Sequence, residues 1–231
     1  PMVTFEQPVM EQALLITHAP MFYGAMPNLG LYSQPDGPFP NPSELMPAGK
    51  IEEAQESHEK SVEAAVEDIV YIGSCMIECG ADGINIDSTG AAGDADFLAA
   101  LLATQKLKAK YPDTCIEIGM AGEFILGMHA GLEFEGTRLA GLYPHDQVKL
   151  AEKAGATIYG PVVNTNTTES TPWNVARVVT FTKAVGEVAN IPIHPNMGMG
   201  VGAVPTCDHP PIDTVSRASK AMVEICRLDG V

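Results

Sequence analysis

Short β-branched segments alternate with longer helical ones through most of this 231-residue chain. Apolar residues recur at helical spacing from Lys50 to Cys79, and Gly83-Ile84-Asn85-Ile86-Asp87 then has the composition of a strand. Later segments repeat this alternation. They predict helices from Asp94 or Asp96 to Tyr111, His145 to Ala154, Pro172 to Val188 and Ile212 to Arg227, and strands over Cys115 to Gly119, Thr157 to Val163 and Ile191 to His194. Such alternation is typical of an α/β protein with a parallel sheet.

The predicted strands are apolar on one face and polar on the other. Ile84 and Ile86 alternate with Asn85 and Asp87, and the same alternation places Glu117, His194 and Asn196 on polar faces. Strands of an open, doubly wound sheet are covered on both faces and are expected to be continuously apolar. Because a barrel can direct one face of each strand inward, we favour a partial (β/α)8 TIM-type barrel over the open sheet.

The end of the chain repeats an earlier junction between a helix and a strand. Asp82-Gly83-Ile84 leads from a helix into a strand, and Asp229-Gly230-Val231 matches it closely. We therefore expect residues 1–231 to form a single, incomplete barrel domain whose last units lie beyond Val231.

The charge and cysteine content exclude several classes of partner. Acidic residues outnumber basic ones by 29 to 13, for a net charge of −16, which opposes binding to nucleic acid and to anionic membranes and favours small cations. The five cysteines do not have the spacing of a disulfide framework, which fits a reducing cytoplasm. No apolar run reaches the roughly 18 residues of a spanning helix. We expect a cytoplasmic protein.

Two motifs match cofactor or metal sites only superficially. Gly198 to Ala203 has the spacing of a dinucleotide-binding loop, but Val204-Pro205 and Pro210-Pro211 block the helix that must follow it. Cys207-Asp208-His209 and the Cys75/Cys79 pair lack further ligands at zinc-like spacing. We predict neither a nucleotide site nor a metal site.

Three carboxylates are candidates for chemistry. Asp87 and Glu117 lie on polar strand faces, and Glu123 follows a strand. Desolvation in a barrel raises a carboxyl pKa, so these groups suit acid-base work or the binding of a cation. A hydrogen-bond network with Asn85 and Asn196 is the alternative role. Asn164-Thr165-Asn166-Thr167 ends a strand, where barrel enzymes place their sites, although such residues also serve in turns.

Several longer segments resemble one enzyme family nearly from end to end. They include Phe22-Tyr23-Gly24-Ala25-Met26-Pro27-Asn28, Gly119-Met120-Ala121-Gly122-Glu123, Gly160-Pro161-Val162-Val163-Asn164-Thr165-Asn166-Thr167 and Asn196-Met197-Gly198-Met199-Gly200-Val201-Gly202. In these segments the sequence resembles the dimethylamine methyltransferases of methylamine-using methanogens. The resemblance also implies an N-terminal region before Pro1.

The resemblance implies a barrel enzyme that transfers a methyl group from dimethylamine to the cobalt of a separate corrinoid protein and leaves monomethylamine. The corrinoid is carried by that partner, so this chain binds no cofactor of its own. The family's decisive residue is pyrrolysine, encoded by an amber codon, whose imine captures the amine. The resemblance places it immediately after Asp229-Gly230-Val231. We also expect the full-length protein to be a homo-oligomer.

The resemblance implies functional roles for two groups of residues. Asp87, Glu117 and Glu123 are the catalytic candidates, which would polarise the imine or hold the ammonium. The candidates for the substrate pocket are Asn85, Asn164, Asn166, His194 and Asn196.

Two other functions remain open at this point. The first is a non-catalytic fragment that retains at most contacts with the corrinoid protein or with copies of itself. An unrelated barrel lyase or aldolase would need a lysine at a strand end to form a Schiff base, and no predicted strand ends in one.

Overall fold

A computed structural model describes residues 32–91, 93–127, 131–162, 172–195 and 212–231, except for the side chains of Ser88, 172–175 and 212–215. These ranges form a mixed α/β structure. Its helices are α1 (Pro42–Leu45), α2 (Ile51–Glu78), α3 (Asp94–Lys110), α4 (Pro144–Ala154), α5 (Pro172–Gly186) and α6 (Ile212–Cys226). Its strands are β1 (Gly83–Thr89), β2 (Cys115–Met120), β3 (Glu133–Phe134), β4 (Thr137–Arg138) and β5 (Ile158–Gly160).

Three parallel strands form the central sheet in the order β1-β2-β5. An isolated parallel bridge between Tyr159 and Ile193 continues the pairing beyond β5. The apolar face of the sheet is buried, since Ile84, Ile116 and Ile118 are at most 8% exposed. Asn85 and Asp87, which alternate with them, are exposed. The predicted division into an apolar and a polar face is confirmed for these strands.

Helix α2 packs against α3 through small side chains. Val62, Ala65 and Val66 of α2 are buried in one cluster with Ala95 and Ala99 of α3. Small residues on both surfaces let the two helices approach closely. Glu52 and Glu53 in the first turn of α2 suit the positive end of its dipole.

The start of α3 differs from the prediction. Gly93 occupies the cap position, with a φ of 82°, in place of Asp94 or Asp96. Asp94 is fully buried inside the first turn, and the Asp96 carboxylate accepts a hydrogen bond from the Gly90 backbone N–H at 2.7 Å. Asp96 therefore orders the loop before α3. The helix begins after a position with positive φ, a conformation that glycine adopts more readily than other residues.

A second core forms where α4, α5 and α6 cover the sheet. Val148, Val178, Val185 and Met222 are at most 1% exposed and share one cluster with Tyr159. The predicted helices agree with the structure to within two residues at each described end.

Two strand predictions were too long, and one hairpin was not predicted. Strand β5 covers only Ile158–Gly160, and the segment around Ile193 makes a single bridge. The hairpin β3–β4 turns at Glu135 and Gly136, both with positive φ, which is the geometry of a type I′ turn. Its strands are too short to produce a periodic signal.

The α/β class is confirmed, and the closed barrel stays a prediction. Among the described helices, none is long and apolar enough to cross a membrane.

Candidate functional site

The polar face of the sheet is the candidate site. Ile86, Ile118 and Tyr159 lie in register across β1, β2 and β5, and Tyr159 pairs with Ile193. The residues that follow them are Asp87, Gly119, Gly160 and His194. Gly119 and Gly160 pair directly, and although the register of β1 shifts after Ile86, Asp87 still lies beside Gly119, since a Cβ there would be 3.6 Å from the Asp87 Cα atom. We call these four residues the polar row. Because side chains alternate along a strand, this row belongs to the face opposite the buried isoleucines.

Glu117 and His194 are joined by a hydrogen bond. His194 Nδ1 lies 3.0 Å from Glu117 Oε1, with the carboxylate side chain 14% exposed and the imidazole 46% exposed. An ionised carboxylate can only accept, so the contact selects the tautomer with a proton on Nδ1. Nε2 is then the nitrogen that can exchange a proton with a ligand.

Asp87 and Asn85 bring two oxygen atoms together over Gly119. A Cβ placed on Gly119 would lie 2.9 Å from Asp87 Oδ1 and 3.3 Å from Asn85 Oδ1. Both oxygens are acceptors, and both residues are exposed. This arrangement suits a ligand that carries N–H donors and a positive charge.

Glu123 has a different environment from the other two carboxylates. It follows β2 in a loop, where its carboxylate pairs with the guanidinium of Arg177 on α5 and is 16% exposed. The structure thus gives Glu123 a role in holding the loop against α5, and its catalytic role stays a prediction.

Asn164, Asn166 and Asn196 lie outside the described residues. Their assignment to the substrate pocket stays a prediction.

The sequence model of the dimethylamine methyltransferase (Dimeth_PyL) family matches residues 1–231. This chain belongs to the dimethylamine methyltransferase family. The predicted resemblance is confirmed, and the unrelated lyase or aldolase is set aside. No solved structure matches the chain.

Sequence reasoning missed Asp229 as a residue that supports the site of this methyltransferase. Its carboxylate accepts a hydrogen bond from the Ile193 N–H at 2.9 Å, and its own N–H donates to the Ile193 carbonyl at 3.1 Å. The next residue, Gly230, lies against the imidazole, because a Cβ there would be 2.9 Å from His194 Cδ2. Asp229 therefore fixes the backbone that carries His194. The repeated Asp-Gly junction was the available signal.

Buried hydrogen bonds beneath the site hold β5 in place. The Tyr159 hydroxyl donates to Gln147 Oε1 at 2.9 Å, and Gln147 Nε2 donates to the Leu142 carbonyl at 2.8 Å. Both side chains are fully buried, and burial raises the pKa of Tyr159 well above its usual value. The phenol is thus a structural group that stays neutral.

The donor set of the site fits an organic cation. Asp87 and Glu117 provide negative charge, and Asn85 adds a neutral oxygen. Over the described ranges, no three His, Cys, Asp or Glu side chains are grouped so that they could hold a metal.

Proposed function

We propose that this protein transfers a methyl group from dimethylamine to the cobalt of a cognate corrinoid protein, releasing monomethylamine. The observation that carries the proposal is the family match over residues 1–231. The polar row on the sheet supports it, because it combines negative charge with a hydrogen-bonded imidazole beside it.

The reaction requires a nitrogen that leaves with an electron pair. The C–N bond breaks with both electrons on nitrogen, while reduced cobalt of the partner supplies the pair that forms the new bond to carbon. A dimethylammonium ion then yields neutral monomethylamine, whereas an unprotonated amine would have to leave as an amide anion. The enzyme must therefore keep the nitrogen positively charged.

Asp87 and Asn85 would hold that nitrogen. Their oxygens converge over Gly119, where they accept hydrogen bonds from the N–H groups of the substrate. The Asp87 carboxylate also stabilises the positive charge, an effect that is stronger on a partly dehydrated protein surface than in water.

Glu117 and His194 would transfer a proton to the amine. The carboxylate orients the imidazole through Nδ1 and stabilises the imidazolium that forms when Nε2 takes a proton. Through Nε2 the imidazolium would give its proton to the amine, which keeps the nitrogen positively charged until it leaves.

Pyrrolysine after Val231 is also part of the proposal, as the resemblance implies. Its imine would supply an electrophilic carbon to which the amine can be bound. The described residues fit such a group, because Asp229 and Gly230 run alongside Ile193 and bring the chain against the His194 ring. Glu117 and Asp87 would provide the negative charge that a protonated imine nitrogen needs.

We further propose that the sheet is part of a (β/α)8 barrel in a cytoplasmic homo-oligomer. The parallel pairing supports the barrel, since it continues from Tyr159 to Ile193, and the backbone N–H groups of Asp229 and Gly230 both donate to the Ile193 carbonyl. The polar face opposite the helices supports it as well.

Full-length protein from cells that insert pyrrolysine tests the function. It is mixed with the reduced corrinoid protein and dimethylamine, and both methyl-cobalt and monomethylamine are measured. We expect them in equal amounts, and peptide mass spectrometry should find pyrrolysine after Val231. Methyl transfer from monomethylamine or trimethylamine but not from dimethylamine would contradict the assignment of dimethylamine as the substrate. Binding of the corrinoid protein without transfer from any of these amines would favour the non-catalytic alternative.

A further inference from the structure

Two glycines lie side by side at the centre of the polar row. Gly119 of β2 is in register with Gly160 of β5. Asp87 of β1 lies beside Gly119, and His194, in the segment that bridges to β5, lies beside Gly160. Strands are about 4.8 Å apart, so the Cα atoms of Asp87 and His194 are separated by roughly 14 Å of sheet. Glycine inside a strand has no side chain to pack and often marks a close approach of another group.

At Gly119 the missing side chain leaves room for the acceptor oxygens. A Cβ at this position would meet Asp87 Oδ1 at 2.9 Å, closer than real Cβ contacts allow. The atom in the way is the end of a short side chain, so an alanine would push the carboxylate aside and leave the strands paired.

At Gly160 the missing side chain lets Glu117 reach His194. A Cβ would lie 3.1 Å from both Glu117 Oε1 and the His194 carbonyl oxygen, and 3.2 Å from the Gly119 Cα atom. The hydrogen bond between Glu117 and His194 crosses over β5 at this point. A larger residue would therefore separate the two groups.

We propose that Gly119 and Gly160 determine the amine specificity of this site. The oxygens of Asp87 and Asn85 lie over Gly119, and the Glu117 carboxylate that binds His194 lies over Gly160. A small methylated ammonium ion would be bound by these oxygens above the two glycines, and a methyl group added at either glycine would displace a carboxylate from the bound nitrogen. The inference rests on the proposed function and adds the positions that set the size of its substrate.

Gly119→Ala in the full-length enzyme is the main test, and Gly83→Ala is the matched control. Gly83 lies on the same face of β1 as Asp87, and its Cβ would also meet atoms at 2.9 Å, but these are the Cβ and the backbone carbonyl oxygen of Cys115 at the other end of the strands. We expect Gly119→Ala to lower kcat/KM for dimethylamine about 10- to 100-fold, because small misplacements in a site have effects of this size. Most of the decrease in kcat/KM should come from a higher KM for dimethylamine. Gly83→Ala should lower the melting temperature and leave KM unchanged.

A second set of variants separates positioning from folding. Because Gly119→Ala acts by moving Asp87, it should reduce kcat/KM less than twofold when Asp87 is already alanine. Measured as competitive inhibitors of the Gly119→Ala enzyme against dimethylamine, trimethylammonium should lose more affinity than methylammonium. Gly160→Ala should lower kcat more than it raises KM, because it disturbs the Glu117–His194 pair.

The outcomes distinguish this inference from the function on which it rests. If the wild-type enzyme transfers no methyl group from any methylated amine, the proposed function fails. If the wild type is active but Gly119→Ala keeps its KM within twofold, or Gly83→Ala raises KM equally, the two glycines do not determine specificity.

Discussion

His194 Nδ1 lies 3.0 Å from Glu117 Oε1, although the two residues belong to segments that do not pair with each other. Strand β5 runs between them, and Gly160 leaves the path over it open. The bond links the second strand of the sheet to the segment that Asp229 anchors. It therefore couples the orientation of the imidazole to a carboxylate that is largely removed from solvent.

Replacing Glu117 with glutamine should lower methyl transfer strongly while the fold is preserved. Glutamine keeps the size of the side chain and can still accept a hydrogen bond from Nδ1, but it removes the charge that stabilises an imidazolium. Because positioned acid-base groups contribute about 100-fold or more, we expect kcat to fall by at least that factor. Methyl-cobalt formation measures it, and circular dichroism checks the fold.

The matched control for this variant is Glu133→Gln. Glu133 is an exposed glutamate on β3, outside the polar row, and its loss of charge should leave kcat within twofold of the wild type. If the kcat of Glu117→Gln also stays within twofold of the wild type, the Glu117–His194 pair has no part in the reaction.

Replacing Asp229 with alanine should weaken the attachment of the last residues to the sheet. The Ile193 N–H loses its acceptor in a partly buried hydrogen bond, and a hydrogen bond to a charged group contributes about 1.5–3 kcal/mol. Asp229→Asn retains an acceptor oxygen and should recover most of this loss. Urea unfolding of the three proteins measures it, and equal stability of Asp229→Ala and the wild type would show that the contact contributes nothing.

The sequence predicted the elements of this fold better than the contacts among them. Alternating isoleucines identify β1 and β2 because one face of each is buried, and that pattern also placed Asn85, Asp87, Glu117 and His194 on the polar side. Periodicity contains no information on which strands are neighbours. The bond between Glu117 and His194 therefore could not be predicted, since it depends on the order β1-β2-β5.

The same limit explains why the contacts of Glu123, Gly119 and Gly160 could not be predicted from the sequence. The guanidinium that pairs with Glu123 belongs to Arg177, which is 54 residues away in the sequence. Gly119 and Gly160 interrupt strand patterns and in principle indicate a close approach, but only the register shows that they lie side by side.

Replacing Tyr159 with phenylalanine should destabilise the core without changing the polar row. The hydroxyl donates to Gln147 Oε1 in a fully buried environment, so its removal leaves that oxygen without this donor. A buried group left unsatisfied costs about 1–3 kcal/mol. Thermal and denaturant unfolding measure the loss, with Tyr143→Phe at an exposed position as the control. A loss equal to that of the control would mean that water replaces the hydroxyl.

Alkaline pH should destabilise the protein in part through Tyr32. Burial, followed by the hydrogen bond to Asp68, raises the pKa of Tyr32 to about 12, whereas an unfolded tyrosine has a pKa of about 10. The stabilisation is therefore complete below pH 10 and is lost as the pH rises from about 10 through about 12, because the unfolded chain releases its proton first. Tyr159 adds to this loss, so the comparison that isolates Tyr32 is between the wild type and Tyr32→Phe.

The difference in unfolding free energy between pH 9 and pH 11 should be smaller in Tyr32→Phe than in the wild type. Tyr71→Phe, at a site 70% exposed, is the control and should match the wild type. An identical decrease in all three proteins would show that Tyr32 ionises equally in the folded and unfolded chains.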